Sequence, residues 1–262
     1  LFLVPLYEDI SPMATPSDAL KSIIVIPARM ASSRLPGKPL ADIKGEPMIV
    51  RVWRQATAAN LGPVVVACAE QEIADAVTAA GGQAVMTDPD LASGSDRVFE
   101  ALGSADPDGD YDAVINLQGD LPLIDPAAIQ AVLAPLNDPA VDIATLACAI
   151  RDDDERSNPN VVKAVVSLQG DGVTGQALYF TRAEAPTGEG PLWHHIGIYA
   201  YRRAALQRFV GLAPSPLEVQ ERLEQLRALE AGMRIDVGFV DTVPFGVDTP
   251  ADLERARNLV SD

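Results

Sequence analysis

Cysteine and histidine are scarce in this 262-residue chain, which has two of each. Cys68 and Cys148 are too few for a disulfide framework and sit in apolar, strand-like runs, so buried reduced thiols of a cytosolic protein are expected. His194 and His195 are adjacent, so on a strand they face opposite ways, and without a third ligand they make no zinc site. Basic charge is also in deficit. Twenty Lys and Arg stand against 37 Asp and Glu, and a net charge of −17 argues against a nucleic-acid or anionic-membrane surface. No apolar run is long enough to span a bilayer. A G-x-S-x-G elbow is missing, and no nucleophile is evident. "GDGVTG" (170–175) has the spacing of a dinucleotide fingerprint, but it lies between strand-like runs with no helix after it and reads as a hairpin turn.

What is present is alternation. Apolar strand patterns at 22–26, 64–69, 83–87 and 112–117 are interleaved with helical patterns at 47–60, 71–80 and 126–136, and a further helix starts at Ser93 or Ser95. This predicts an α/β fold with a doubly wound, mostly parallel sheet over 22–140. Residues 141–232 read as a smaller mixed α+β region, with strands at 141–150, 161–167, 176–181 and 194–201 and one amphipathic helix over 217–232. A strand at 234–240 and a helix at 250–260, capped by Thr249 with Pro250 at its first position, are expected to return to the core as a 233–262 segment. Residues 1–21 lack the basic region of a signal peptide and are expected to form a flexible extension.

Three cations stand out against the acidic background. Arg29, Arg34 and Lys38 follow the first strand in "IPARMASSRLPGKPL", a loop stiffened by Pro27, Pro36, Gly37 and Pro39. It is not a Walker loop, because Ser32 and Pro39 stand where that motif needs Gly and Ser or Thr. A loop at the carboxyl end of a parallel strand nevertheless borders the ligand crevice, and three cations there suit a triphosphate. A solvated basic loop is the competing reading, and the stiffening favours a preorganised site. Asp120 in "NLQGDLPLID" and Asp248 in "GVDTP" each follow an apolar strand. Either alone is ordinary turn chemistry, whereas the pair facing a cationic loop could hold Mg²⁺ between carboxylate and phosphate oxygens. "RDDDER" (151–156) reads as a solvated acidic loop. Glu221, Glu224 and Gln225 share the polar face of the 217–232 helix.

Eight segments in order, "IPARMASSRLPGKPL", "SGSDR", "QGDLP", "NPNVVKAV", "ALYFTRA", "HHIGIYAYRR", "PSPLEVQERLEQLRALEAG" and "GVDTPADLERAR", resemble the 3-deoxy-manno-octulosonate cytidylyltransferases over about 22–260. The resemblance implies a Rossmann-like nucleotidyltransferase fold. It implies transfer of CMP from CTP to the eight-carbon acid sugar 3-deoxy-manno-octulosonate (Kdo), with Mg²⁺, in a cytoplasmic homodimer serving lipopolysaccharide synthesis. It places Ala28, Arg29, Arg34, Lys38, Ser93, Gly94, Ser95, Arg97 and Asp120 at CTP. Gln118, Arg182, His195, Tyr199, Glu224 and Gln225 fall at Kdo, and Asp120 and Asp248 at the metal. Arg29, Lys38, Asp120 and Asp248 would carry catalysis, an in-line attack of the anomeric hydroxyl on the α-phosphorus. Leu121, Leu91 and Cys68–Ala69 depart from the commonest family pattern at Glu, His and Thr–Asp, and the 183–193 loop is short. Two rival readings are cytidylyl transfer to another acid sugar, such as a sialic acid or 8-amino-Kdo, and a non-catalytic nucleotide-binding partner.

Overall fold

Side chains along the first strand, β1 (Ser22–Ala28), alternate between two faces: Ile24 and Ile26 on one, Ile23 and Val25 on the other, all essentially without exposure. A strand buried on both faces needs a layer of helices on each side. The computed structural model describes residues 20–170 and 172–260, so the extension expected over 1–21 lies almost wholly outside the described residues. After β1 come β2 (Asp42–Ile43), β3 (Glu46–Pro47), α1 (Met48–Ala58), β4 (Val64–Cys68), α2 (Gln71–Ala79), β5 (Gln83–Met86), α3 (Gly94–Ala105), β6 (Ala113–Asn116) and α4 (Pro126–Ala131). The second half holds β7 (Ile143–Ala149), α5 (Asp153–Ser157), β8 (Lys163–Leu168), β9 (Thr174–Thr181), β10 (Trp193–Arg202), α6 (Arg203–Val210), α7 (Pro216–Glu221), α8 (Leu226–Glu230), β11 (Ile235–Val240) and α9 (Pro250–Leu259).

Nine strands form one sheet in the order β5-β4-β1-β6-β10-β7-β11-β9-β8. Its first four strands are parallel, as the βαβ alternation predicts. One face packs against α1, α2 and α4 through Ile49, Val52, Ile73, Val77 and Ile129; the other packs against α3, α6 and α8 through Val98, Leu102, Leu206, Phe209 and Leu226. Strand β10 lies antiparallel between β6 and β7 and so splices the later strands into the same sheet. Residues 141–232 therefore continue the core sheet. The last strand, β11, joins β7 in parallel and β9 antiparallel, whereas α9 packs Leu253 and Ala256 on Ile43 and Met48. The Gly-rich 170–175 segment does join two antiparallel strands, β8 and β9.

Two expected helices are shorter than their periodicity suggests. The 126–136 pattern ends at Ala131 and continues as a 3-10 turn, Ala134–Asn137, where Pro135 has no N–H for a helical bond. The 217–232 pattern breaks at Arg222, which takes a left-handed conformation (φ 56°) between α7 and α8.

A buried carboxylate ties α3 to the second half. Asp106, 3% exposed, accepts from the backbone N–H groups of Asp110 (2.8 Å) and Tyr111 (3.2 Å) and pairs with Arg203 at the start of α6. Burial works against its charge, but these donors outweigh burial and hold its pKa below the usual carboxylate value. Asp106→Ala should cost about 3 kcal/mol in a urea titration at neutral pH. Because the folded pKa is depressed, the contribution from its charge is full above pH about 4 and fades as pH falls through the folded value. The gap between wild type and Asp106→Asn should narrow accordingly in titrations repeated at falling pH.

Candidate active site

Loops leaving β1, β6 and β11 meet at the carboxyl ends of the parallel strands. Gly119 allows the approach of the first two: a Cβ there would stand 3.0 Å from the Pro27 carbonyl oxygen. The Val247 N–H donates to the Asp120 carbonyl at 2.9 Å and fastens the C-terminal loop beside the second. Between them opens a cavity of about 370 Å³, lined by Ala28, Arg29, Arg34, Lys38, Ser93, Gly94, Arg97, Gln118, Asp120 and Asp248 among others. Nine of the ten CTP and metal positions expected from the family resemblance thus lie on one cavity, the exception being Ser95.

The cavity is organised around an ammonium. Lys38 Nζ donates to Asp120 Oδ2 at 2.8 Å and to Asp248 Oδ1 at 3.0 Å, and Arg34 reaches the other Asp248 oxygen at 3.1 Å. Burial would lower the Lys38 pKa, but the two carboxylates outweigh it and the net shift is upward, so Lys38 stays charged at neutral pH. Arg29 is exposed on the cavity wall and makes no ion pair among the described residues. Arg97 is 2% exposed and donates to Thr87 and to the carbonyls of Asp88 and Pro89; desolvation and the nearby Arg29 lower its pKa. Ser93 and Asp96 form a capping box at the start of α3, which spends the Ser93 hydroxyl on the helix. Cys68 is fully buried with its thiol pushed up to about 12 by burial, and its carbonyl accepts from Thr87.

The expected sugar residues gather elsewhere, except Gln118, which lines the cavity and donates to Asn116 at 3.1 Å. Ser95 is buried and donates to Glu224 Oε2 at 2.9 Å, so a residue expected at CTP bridges α3 to the α7–α8 break. Gln225 is 6% exposed, and its Nε2, like Glu224 Oε1, finds no hydrogen-bond partner among the described residues. His195 stacks near Phe180 (4.8 Å) and Tyr199 (5.6 Å). The Arg182 guanidinium meets backbone carbonyls rather than a carboxylate. Thr181, Glu221 and Arg222, which frame Arg182, were not singled out as site residues by sequence, and a left-handed Arg carries no sequence signal.

With the geometry in view, comparison with known proteins decides the family. A family model described as cytidylyltransferase matches residues 23–235. A 3-deoxy-manno-octulosonate cytidylyltransferase from Paramagnetospirillum magneticum is 65% identical over 92% of this chain and 98% of its own length. The chain belongs to the 3-deoxy-manno-octulosonate cytidylyltransferase family. A relative of the same name from Bradyrhizobium sp. (strain ORS 278) is 67% identical over the same shares of the two chains. The solved structure of a CMP:2-keto-3-deoxy-manno-octonic acid synthetase complexed with CTP is 43% identical, with a TM-score of 0.84 over 91% of this chain and 98% of that one. A nucleotidyl transferase from Methanothermobacter thermautotroptrophicus, at 15% identity and TM-score 0.61 over 91% and 96%, shares the fold.

The buried imidazole yields a prediction. Thr145 Oγ1 donates its one proton to a backbone carbonyl, Ile198 at 2.8 Å or Ile196 at 3.1 Å, so it meets His195 Nε2 (3.0 Å) as an acceptor. That places the imidazole proton on Nε2. Burial, with His194 alongside, lowers the His195 pKa to about 3. A lowered histidine pKa means the unfolded chain binds more protons between about pH 3 and 6.5, so this group destabilises the fold as pH drops through that window. Nitrogen NMR should show His195 neutral, protonated at Nε2 and untitrated from pH 8 to 5; a resonance titrating near 6.5 in both histidines would contradict the placement.

Proposed function

We propose that this chain transfers CMP from CTP to the anomeric hydroxyl of Kdo, releasing pyrophosphate. The observation that carries the reading is the Lys38–Asp120–Asp248 cluster in a cavity between strand-end loops, in a chain two-thirds identical to relatives of that name. The hydroxyl oxygen attacks the α-phosphorus and pyrophosphate leaves in line. Such chemistry rests on positioning and charge rather than on a covalent nucleophile. Arg29, exposed and without an ion pair among the described residues, is available to phosphate oxygens. Lys38 keeps the two carboxylates together and, on its flexible stem, neutralises the departing pyrophosphate. Gln118 reaches into the same cavity beside the acceptor.

Mg²⁺ fits the donor set. Asp120 and Asp248 converge on one cationic point, and a hard divalent ion takes one or two carboxylates with phosphate oxygens as its remaining partners. Among the described residues no cluster of three or more His, Cys, Asp or Glu converges, so the protein would supply these two, and nucleotide phosphates and water the rest. When bound, the ion neutralises phosphate charge and acidifies a coordinated hydroxyl. A homodimer also belongs to this reading, supported by Leu168 and Leu178, more than half exposed on the β8–β9 hairpin. A cytoplasmic location is part of the proposal too, and among the described residues no helix is long and apolar enough to cross a membrane.

Asp120→Asn should lower turnover on the order of 10²-fold or more while leaving the thermal transition in place. Pyrophosphate release from CTP, assayed with Kdo, a sialic acid and 8-amino-Kdo, tests the substrate: strongest release with Kdo is expected, silence with all three would leave a nucleotide-binding protein. Light scattering at micromolar concentration should give twice the chain mass, and a monomer would remove the dimer from the proposal.

A further inference from the structure

The α7–α8 break is built in an unusual way. Arg222 adopts φ 56° and ψ 47° with its side chain exposed, a conformation that is costly for any residue with a Cβ and that Gly normally supplies. Something must hold it. Arg182, just past the end of β9, donates from Nε to the Glu221 carbonyl (2.9 Å), from Nη1 to the Pro159 carbonyl (3.0 Å) and from Nη2 towards the Arg222 carbonyl (3.5 Å). Glu221 answers from the other side: its Oε2 accepts from the Arg182 N–H (3.0 Å) and its Oε1 from the Thr181 hydroxyl (2.8 Å). The turn also makes its own backbone bonds, the Arg222 and Leu223 N–H groups both reaching the Glu218 carbonyl, and the planar fork satisfies the next carbonyls, those of Glu221 and Arg222. The chain then runs directly into Glu224, whose buried Oε1 faces the Arg227 guanidinium at 3.6 Å, and Gln225, whose Nε2 is buried without a hydrogen-bond partner among the described residues.

We infer that Arg182 is a positioning residue: together with Glu221 it locks the left-handed Arg222 and so presents Glu224 and Gln225 to the sugar, rather than binding the sugar carboxylate itself. The inference rests on the proposed transfer to an acid sugar for its kinetic readout. Geometry favours this role, since three of the five guanidinium N–H groups already meet backbone carbonyls, among them Nε, and none meets a carboxylate.

Glycine at 222 makes the inference testable, because it adopts the left-handed conformation without help. Arg182→Gln should raise KM for Kdo on the order of tenfold, the population factor of one left-handed penalty, with KM for CTP within about twofold. Amides of 222–226 should exchange with deuterium faster by a similar factor. Adding Arg222→Gly to Arg182→Gln should restore both readouts to within about threefold of wild type. Arg222→Val, which leaves Arg182 intact, should copy the Arg182→Gln defect, and it carries the test if Arg182→Gln does not fold. If the double variant stays as impaired for Kdo as Arg182→Gln while its amides regain protection, Arg182 touches the sugar and the inference is overturned. Normal KM and protection in Arg222→Val would overturn it as well. Should wild type release no pyrophosphate with any acid sugar, the functional reading falls, and the exchange rates still decide whether Arg182 locks the break.

Discussion

Two carboxylates placed a few ångströms apart repel each other, and Lys38 is what allows Asp120 and Asp248 to share one end of the sheet. Its ammonium touches both, and Arg34 takes the remaining Asp248 oxygen. Around that point the loop after β1, the loop after β6 and the segment before α9 are drawn together, with the Val247–Asp120 backbone bond fixing the last of them. The cluster is a charge-balanced core for an otherwise acidic protein. It also leaves Arg29 on the cavity wall without an ion pair among the described residues, positive charge that a chain of net charge −17 needs if it is to hold a polyanion.

The two halves of the site are organised by different physics. On the side proposed for the nucleotide, ion pairs and a capped helix start face a polar cavity. On the other side, the Phe180 and Tyr199 rings and the Thr145 hydroxyl flank a neutral His195. The Ser95–Glu224 hydrogen bond is the direct link between them, from the first turn of α3 to the α7–α8 break. Because Glu224 also lies 3.6 Å from Arg227, which is held by Glu218, the acid is oriented from both ends.

Much of this was legible in the sequence because it depends on short-range pattern. Pro and Gly beside Arg29, Arg34 and Lys38 marked the loop, period-2 and period-3.6 alternation marked the first four parallel strands and their helices, and Thr249-Pro250 marked the start of α9. Long-range consequences were not legible. Nothing local says that β10 inserts antiparallel between β6 and β7, because its apolar residues suit either direction. The apolar stripe of 217–232 carries no sign that an arginine will turn left-handed, since the partners that enforce it, Arg182 and Glu221, come from a strand end forty residues away and the helix itself. The family resemblance placed Ser95 at CTP, whereas its side chain donates to Glu224.

The separation along the chain of the groups that meet at Lys38 has a consequence for biogenesis. Its two carboxylate partners lie 82 and 210 residues downstream. A ribosome must therefore release the 210 residues that follow Lys38, up to Asp248, before the site can close. Until then Lys38 and Asp120 can meet without Asp248, and the hydrophobic surface of Ile43 and Met48 waits for Leu253 and Ala256. Domains generally fold as units, yet here the functional centre is completed only by a carboxylate that follows β11. A chain cut short before Asp248 would keep every strand from β1 to β11 and lack the second carboxylate, so such a product would be inert rather than partly active.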